Sequence, residues 1–368
     1  MFRQYKLKNY NFKLIFFVIL LSTIGYLAIG SAKESVQSKQ MYGILFGIIL
    51  TLFVSLIDYS SYLIFNWVFY GLNIILLISV FVFGNEVNGA KRWFSLLGVQ
   101  FQPSELAKIL LILFFAQYIM KHRDAVNTVK GMIGLLVLFA VPLLLIYKEP
   151  DLSTSLVVVS AFCVMIFVSG FSYKIILAMI ALLIPLGVAF FAIILKPGAD
   201  ILYGYQIIRI LAWLDPEKYA DSAAYQQLNS ITAIGSGQLL GKGLNNNVIA
   251  SVKNGNFISE PQTDFIYAVI GEELGFIGGF TVIALLFLIV WECLKIARNS
   301  KDIAGSLIAS GVAGVIGVQS FFNIAVATGV IPNTGIPLPF VSYGLTSLLS
   351  LYLAIGIVLN VGLQQKKY

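Results

Sequence analysis

Asp264-Phe-Ile-Tyr-Ala-Val-Ile-Gly-Glu-Glu-Leu-Gly-Phe-Ile-Gly-Gly-Phe-Thr-Val-Ile-Ala-Leu-Leu-Phe-Leu-Ile-Val-Trp291 decides the class of this protein. After Asp264 the run carries two carboxylates, Glu272 and Glu273. It is otherwise apolar for longer than the roughly 20 residues a helix needs to cross a bilayer. Working outward, the whole chain has the same character: 59% of its 368 residues are hydrophobic and 11% are charged. Its mean hydropathy is +0.90, and a soluble domain carries about 25% charged residues. The composition gives an all-α polytopic membrane protein and excludes a soluble enzyme or a disordered chain. A net charge of +7 would suit nucleic acid, but the basic residues lie between apolar spans. Membrane topology accounts for them, so membrane lipid is the expected surrounding and nucleic acid is not a partner.

Ten runs are apolar and long enough to span: 12–32, 40–57, 62–83, 104–120, 131–147, 152–170, 174–195, 264–291, 303–328 and 341–362. They make a single transmembrane domain over 1–368. Lysines and arginines cluster in the N-terminal tail (Arg3, Lys6, Lys8, Lys13), after the fourth span (Lys121, Arg123, Lys130), after the eighth (Lys295, Arg298, Lys301) and at the end (Lys366, Lys367). With ten spans all four clusters fall on one side, so the positive-inside rule places both termini in the cytoplasm. The first run, from Phe12, lacks a small-residue cleavage site and reads as a span, not a signal peptide. Cys163 falls in the middle of one span and Cys293 at the inner end of another, so neither a disulfide nor a metal framework is expected. No internal repeat is evident.

On the outer side the connections are irregular and polar. The longest, 196–263, has aromatic and aliphatic residues interleaved from Tyr203 to Leu214, as in a segment lying on the membrane. It continues with a short amphipathic helix near 223–233 and the glycine-rich Gly235-Ser-Gly-Gln-Leu-Leu-Gly-Lys-Gly243. After the third span, Pro103 suits the first turn of a helix, Glu105 sits in that turn, and Lys108 is placed to pair with it. A capped helix with an internal ion pair and a pair serving a ligand are both compatible with this spacing. Asp151, in Lys148-Glu-Pro-Asp151, reads as the N-cap of the sixth span. Ile331-Pro-Asn-Thr-Gly-Ile-Pro-Leu-Pro-Phe-Val-Ser-Tyr-Gly344 has too many prolines and glycines for a helix. Broken backbone at membrane depth is tolerated where it is buried in protein or lines a cavity. Gly271, Gly275 and Gly279, like Ala309, Ala313 and Gly317, recur every four residues and suit close helix packing.

These residues carry a resemblance. Asn88-Gly-Ala-Lys-Arg-Trp93, Gln102-Pro-Ser-Glu-Leu-Ala-Lys108, Glu149-Pro-Asp-Leu-Ser-Thr154, Gly235-Ser-Gly237, Thr263-Asp-Phe-Ile266, Gly271-Glu-Glu-Leu-Gly275 and Pro337-Leu-Pro-Phe-Val-Ser-Tyr-Gly344 resemble, in order, the motifs of the SEDS family of bacterial envelope proteins. The resemblance runs from about Gly30 to Gly356. The chain departs from the pattern at Leu345, where the family usually has a second glycine, and at Gln238, which interrupts a glycine pair.

The resemblance implies a peptidoglycan glycosyltransferase that polymerises lipid II outside the plasma membrane beside a class B penicillin-binding protein. The family's catalytic carboxylate maps to Asp264. Lipid II carries its sugar on a diphosphate in α linkage and the product linkage is β, so one inverting displacement suffices. That displacement needs a base for the acceptor 4-hydroxyl and cations for the departing diphosphate. Asp264 would be the base, and Arg92, Lys108, Arg209 and Lys242 are candidates for the diphosphate. Glu105, Asp151, Gln262, Ser342 and Tyr343 complete the expected substrate-binding set. A divalent cation, Mg or Mn, would be compatible with a diphosphate, though no residue pattern fixes a ligand set. By spacing alone Thr263-Asp264 is an N-cap, which does not exclude catalysis. Glu272 and Glu273 lie roughly 12–13 Å further along a regular helix and are expected as buried partners of neighbouring polar groups. Two rival classes stay open, a flippase for lipid-linked sugars and a noncatalytic scaffold for a penicillin-binding protein.

Overall fold

The computed structural model describes residues 9–87, 90–96, 99–171, 181, 204–245 and 257–365. Polar side chains at chain turns start many of its helices. Asn11 accepts from Leu14 N (3.0 Å) to open α1 (Phe12–Ala32). The next helix, α2 (Glu34–Ser55), starts several residues before the apolar run, because Glu34 to Gln40 continue the helix beyond the apolar stretch. The expected third span is two helices, α3 (Tyr59–Ile64), capped by Asp58, and α4 (Asn66–Phe83). Then come α5 (Pro103–Lys121), with Pro103 in its first turn, the short α6 (Arg123–Val126), α7 (Val129–Lys148) and α8 (Leu152–Val168). Two shorter helices, α9 (Gly204–Leu214) and α10 (Tyr225–Ser236), precede α11 (Ile266–Asn299), α12 (Ile303–Ala327) and α13 (Leu345–Leu363).

Among the described residues 8 helices are long and apolar enough to cross a membrane, and α8 is a shorter apolar one. The run 174–195, expected as the seventh span, lies outside the described residues except for position 181, as do 196–203 and 246–256 of the long connection.

In the core, α5, α12 and α13 bury most of their surface, and α1, α2, α4, α7 and α11 surround them. The outer helices turn large apolar side chains outward, among them Phe46, Phe53, Phe83, Phe280 and Phe287. In water such a surface would drive aggregation, whereas in lipid it is the ordinary exterior. At one end of the bundle Tyr10 meets Ser55 (3.0 Å), Asn11 donates to Glu292 (2.6 Å), Tyr59 donates to Asp302 (2.7 Å) and Gln364 donates to Asp58 (2.9 Å). Lys295 and Lys301 belong to this basic end.

The opposite end holds a feature absent from an all-α expectation: a three-stranded antiparallel sheet, β1 (Asn85–Val87), β2 (Ala90–Leu96) and β3 (Val99–Phe101). Val87 pairs with Ala90 across Asn88-Gly89, and Leu96 with Val99 across Leu97-Gly98. The sheet ties to the bundle through Trp93, whose indole N–H donates to Gln102 Oε1 (3.0 Å) just ahead of α5.

The helix α11 is not the regular rod its hydropathy suggests. Gly275 breaks it with φ 64° and ψ −161°. Into that break docks the loop after α10. Phe276 N donates to Gln238 O (2.8 Å), Lys242 N to Glu272 O (3.0 Å) and Gly243 N to Glu273 O (2.9 Å). A β-carbon on Gly237 would collide with Gly271 O, and one on Gly241 with Glu273 O. Gly271 therefore admits helix α10 through Ile234, a close helix contact of the kind the spacing suits, while Gly275 admits the loop that follows it. Gln238, the departure from the glycine pattern, takes a left-handed backbone (φ 51°) and offers its carbonyl to Phe276.

Candidate active site

Asp264 stands at the end of the bundle away from the basic cluster, two residues before α11 begins. The cap position belongs to Phe265, with no side-chain cap bond, so the N-cap role expected for Asp264 is not the one it takes. Its helix starts a residue late because Ala268 N bonds to Phe265 O (2.9 Å). Among the described residues the Asp264 carboxylate accepts no hydrogen bond, and it stays half-buried. Burial pushes its pKa up; Arg209 and then Arg92 pull it back down, and Asp151 pushes it up again. Arg92 of β2, Asp151 at the N-cap of α8 and Arg209 of α9 thus act electrostatically on one carboxylate, from positions 55 to 172 residues earlier in the chain.

Each of the three is held by main chain. Arg92 donates through Nε to Glu149 O (3.2 Å) and through Nη2 to Pro150 O, with Nη1 3.9 Å from Asp151 Oδ1. Asp151 caps α8 by accepting from Thr154 N (3.0 Å) and Thr154 Oγ1 (2.9 Å), and it accepts from Gln102 Nε2 (3.0 Å). Arg209 reaches from α9 to Asn333 O (3.5 Å). Beside them Glu149 is fully buried with neither carboxyl oxygen bonded among the described residues. Burial, and then the neighbouring Asp151 charge, push its pKa up to about 9 against a weaker downward pull from Arg92.

The proline-rich connection from Ile331 to Gly344 forms the other wall and is fastened from every side. Asn323 of α12 donates from one amide nitrogen to Asp264 O and to Ile336 O, both at 2.7 Å. Ser342 Oγ donates to Thr263 O (2.6 Å) while accepting from Leu338 N (2.7 Å), and Tyr343 N donates to Gln262 O (2.8 Å). Ser153 donates to Thr334 O. Gln227 of α10 donates to Val326 O (2.8 Å) and Ile331 O (2.7 Å), and Trp213 of α9 to Gly329 O (3.0 Å). The amphipathic helices of the long connection thus act as struts for this wall.

The structure therefore sorts the residues expected at the site. Arg92, Asp151 and Arg209 all act on the charge of Asp264, and Gly335 lies against both the Asp264 carboxylate and the Arg209 guanidinium. Gln262, Ser342 and Tyr343 brace the peptide just before it, Ser342 through Thr263 O and Tyr343 through Gln262 O, and Gln262 also donates to Glu260, which pairs with Lys33 (3.0 Å). Glu105 and Lys108 form a buried pair within α5, with Lys108 Nζ 2.9 Å from both carboxylate oxygens. Lys242 is not brought to Asp264: its ammonium pairs with Glu272 at 2.8 Å in the loop docked at the break of α11. Glu272 lies eight residues after Asp264, roughly 12 Å along a helix at ~1.5 Å per residue. Glu273 accepts from Ser31 Oγ of α1. Sequence reasoning missed Asn323, Gly335, Gln102 and Glu149. An asparagine inside an apolar span was a usable signal, because a buried amide needs partners; Gly335 carried none.

Among the described residues no group of three or more His, Cys, Asp or Glu side chains is placed to hold a metal ion. The charged partners of Asp264 are chiefly guanidinium groups, so the donor set does not fit a resident Mg or Mn, and no step is derived through one.

Known proteins share this architecture. The chain matches the family FTSW_RODA_SPOVE, described as Cell cycle protein, over residues 7–367. It is 34% identical to the probable peptidoglycan glycosyltransferase FtsW of Bacillus subtilis, over 97% of this chain and 91% of that one. It is 32% identical to stage V sporulation protein E of the same organism, over 95% of each. Among solved structures, a chain from "Structural coordination of polymerization and crosslinking by a peptidoglycan synthase complex" superposes with TM-score 0.78 at 29% identity, covering 96% of this chain and 97% of that one. Rod shape determining protein RodA of Thermus thermophilus superposes with TM-score 0.70 at 26% identity, covering 98% of both chains.

Proposed function

The chain belongs to the FtsW/RodA/SpoVE family, the SEDS proteins, and from that membership we propose that it is a peptidoglycan glycosyltransferase that polymerises lipid II at the outer face of the bacterial plasma membrane. It is a multi-pass membrane protein. In this proposal it has ten spans, its basic end and both termini face the cytoplasm, and the Asp264 end faces outward. The observation that carries the mechanism is the half-buried Asp264 carboxylate, without a hydrogen bond among the described residues and facing Arg209 and Arg92.

In the displacement, Asp264 takes the proton of the acceptor sugar's 4-hydroxyl as that oxygen bonds to the donor's anomeric carbon. The bond from that carbon to the diphosphate breaks on the opposite face, and polyprenyl diphosphate leaves with the electron pair. One such step inverts α to β. A base works best when its pKa lies near the operating pH, and burial moves Asp264 in that direction. Arg209 and Arg92 supply positive charge in a partly desolvated site, where it is worth more than in water. Asp151 holds Arg92, and Gln262, Ser342 and Tyr343 hold the peptide that carries Asp264. A class B penicillin-binding protein is the proposed partner that crosslinks the product, in line with a structural relative drawn from a complex coordinating polymerization and crosslinking.

A flippase or a scaffold would need no base at this position. The test is to purify the protein with its cognate penicillin-binding protein, supply lipid II, and compare wild type with Asp264→Asn. Loss of glycan polymer in the variant is the expected result. Equal polymer from both would refute the base assignment, and lipid scrambling without polymer would favour transport.

A further inference from the structure

The amide of Asn323 occupies an unusual position for a side chain on an apolar helix. Its Nδ2 donates to two main-chain carbonyls from different segments, Asp264 O and Ile336 O, each at 2.7 Å, and the residue is almost completely buried. Both partners are carbonyl oxygens, which only accept, so the nitrogen must face them and the amide has one orientation. Neither carbonyl has an obvious substitute donor. The N–H of Ala268, which a helix continued back to Asp264 would deliver to Asp264 O, bonds instead to Phe265 O. Ile336 is followed by Pro337 and, two residues on, Pro339, which have no N–H to give. Next to Ile336 stands Gly335, in the left-handed region at φ 71°. A β-carbon there would lie 3.3 Å from Asp264 Oδ2 and 4.0 Å from Arg209 Nη1. The peptide anchored by Asn323 is therefore the one that sets the gap between the carboxylate and the guanidinium.

We propose that Asn323 is a positioning residue for the glycosyl transfer: its two hydrogen bonds fix the distance between Asp264 and the 335–336 peptide, and so the opening through which the acceptor hydroxyl reaches the base. This rests on Asp264 being the base. Asn323 touches neither substrate nor carboxylate and acts through the main chain of both walls. Without it one buried and one part-buried carbonyl lose this donor, and Asp264 is free to shift relative to Arg209. Displacement of a reacting group by about 1 Å costs on the order of 100-fold in rate.

The experiment uses the full chain with its partner transpeptidase and a polyprenyl-diphosphate-linked disaccharide-peptide as substrate. Asn323→Leu, similar in size and without a donor, is compared with Asn323→Gln, which keeps the amide, and with Asp264→Asn. Thermal unfolding of each complex gives the folded fraction. Per folded protein, Asn323→Leu is expected to lose on the order of 100-fold in kcat with KM nearly unchanged. The acid limb of its kcat profile should shift, because the Asp264–Arg209 spacing is no longer set, and Asn323→Gln should recover part of the loss. A folded Asn323→Leu with wild-type kcat and an unmoved acid limb overturns the positioning role, as does a loss that tracks the folded fraction alone. An inactive Asp264→Asn beside a fully active Asn323→Leu refutes positioning while leaving the base intact. An active Asp264→Asn overturns both.

Discussion

Gly335 stands against the carboxylate of Asp264, so closely that a β-carbon on it would lie 3.3 Å from Oδ2. The two residues are 71 positions apart, one in a proline-rich connection and the other just ahead of α11. Gly335→Ala would therefore act twice. Its φ of 71° disfavours any side chain, at a cost of about 1 kcal/mol, and the methyl would crowd the approach to the base. Polymerisation by the variant should fall by roughly ten- to a hundredfold, given the sensitivity of such steps to ~1 Å displacements. The thermal midpoint should move little. Wild-type turnover would show that this gap is not on the path of the acceptor.

The charges around Asp264 predict two opposite shifts of the acid limb of kcat/KM. Arg209 lowers the Asp264 pKa, so Arg209→Ala should raise it and move the limb to higher pH. Asp151 raises it, so Asp151→Asn should move the limb to lower pH. A pH series on both variants with lipid II is the check. Shifts of the same sign, or none, would mean that the limb reports another group.

Glu149 gives a stability prediction with a definite sign. Its folded pKa of about 9 lies above its ordinary value of 4.5, so the folded state binds a proton that the unfolded state has released. Between those values stability falls as pH rises. Glu149→Gln removes the titration and should unfold at a higher temperature than wild type near pH 9, with the gap closing towards pH 4.5. A gap that widened on acidification would place a charged carboxylate at this position.

The pair Glu105–Lys108 is almost completely buried, with both distances 2.9 Å. Removing one member leaves the other uncompensated, which in buried pairs costs about 3–5 kcal/mol. Lys108→Met alone should destabilise strongly, and the double variant Glu105→Leu, Lys108→Met should recover most of that loss. Polymer assays on the recovered double variant then tell whether the pair also serves the substrate. An inactive but stable double variant would assign it there.

Gly275 tests the docked loop. Its φ of 64° and the crowding of Gly241 N against any β-carbon leave no room for a side chain. Gly275→Ala should lower the yield of folded protein and expose the 237–243 segment to proteolysis. A stable, protease-resistant variant would show that the loop tolerates displacement.

Much of this molecule was legible in the sequence because a bilayer imposes a simple requirement. Apolar runs of about 20 residues appear as helices with no need of knowledge about neighbours, and α1, α5, α7 and α12 lie within a few residues of their hydropathy limits. Caps were local as well: Asp151 announces α8 by its chemistry alone. The carboxylate at the mouth of α11 stood out because charge is costly at membrane depth. Local pattern could not say which charges meet it. Lys242 and Arg209 looked alike as cations in one long connection, yet the docking of the 237–243 loop into the break at Gly275 gives Lys242 to Glu272, while α9 carries Arg209 to the wall beside Asp264. The break itself, the place of Gly335 and the two-carbonyl anchor at Asn323 depend on close approach between segments distant in the chain. Hydropathy is a sum over neighbours in sequence and determined a multi-pass helical protein and most limits of its long apolar helices; electrostatics and hydrogen bonding act across space, and only the tertiary structure decided them.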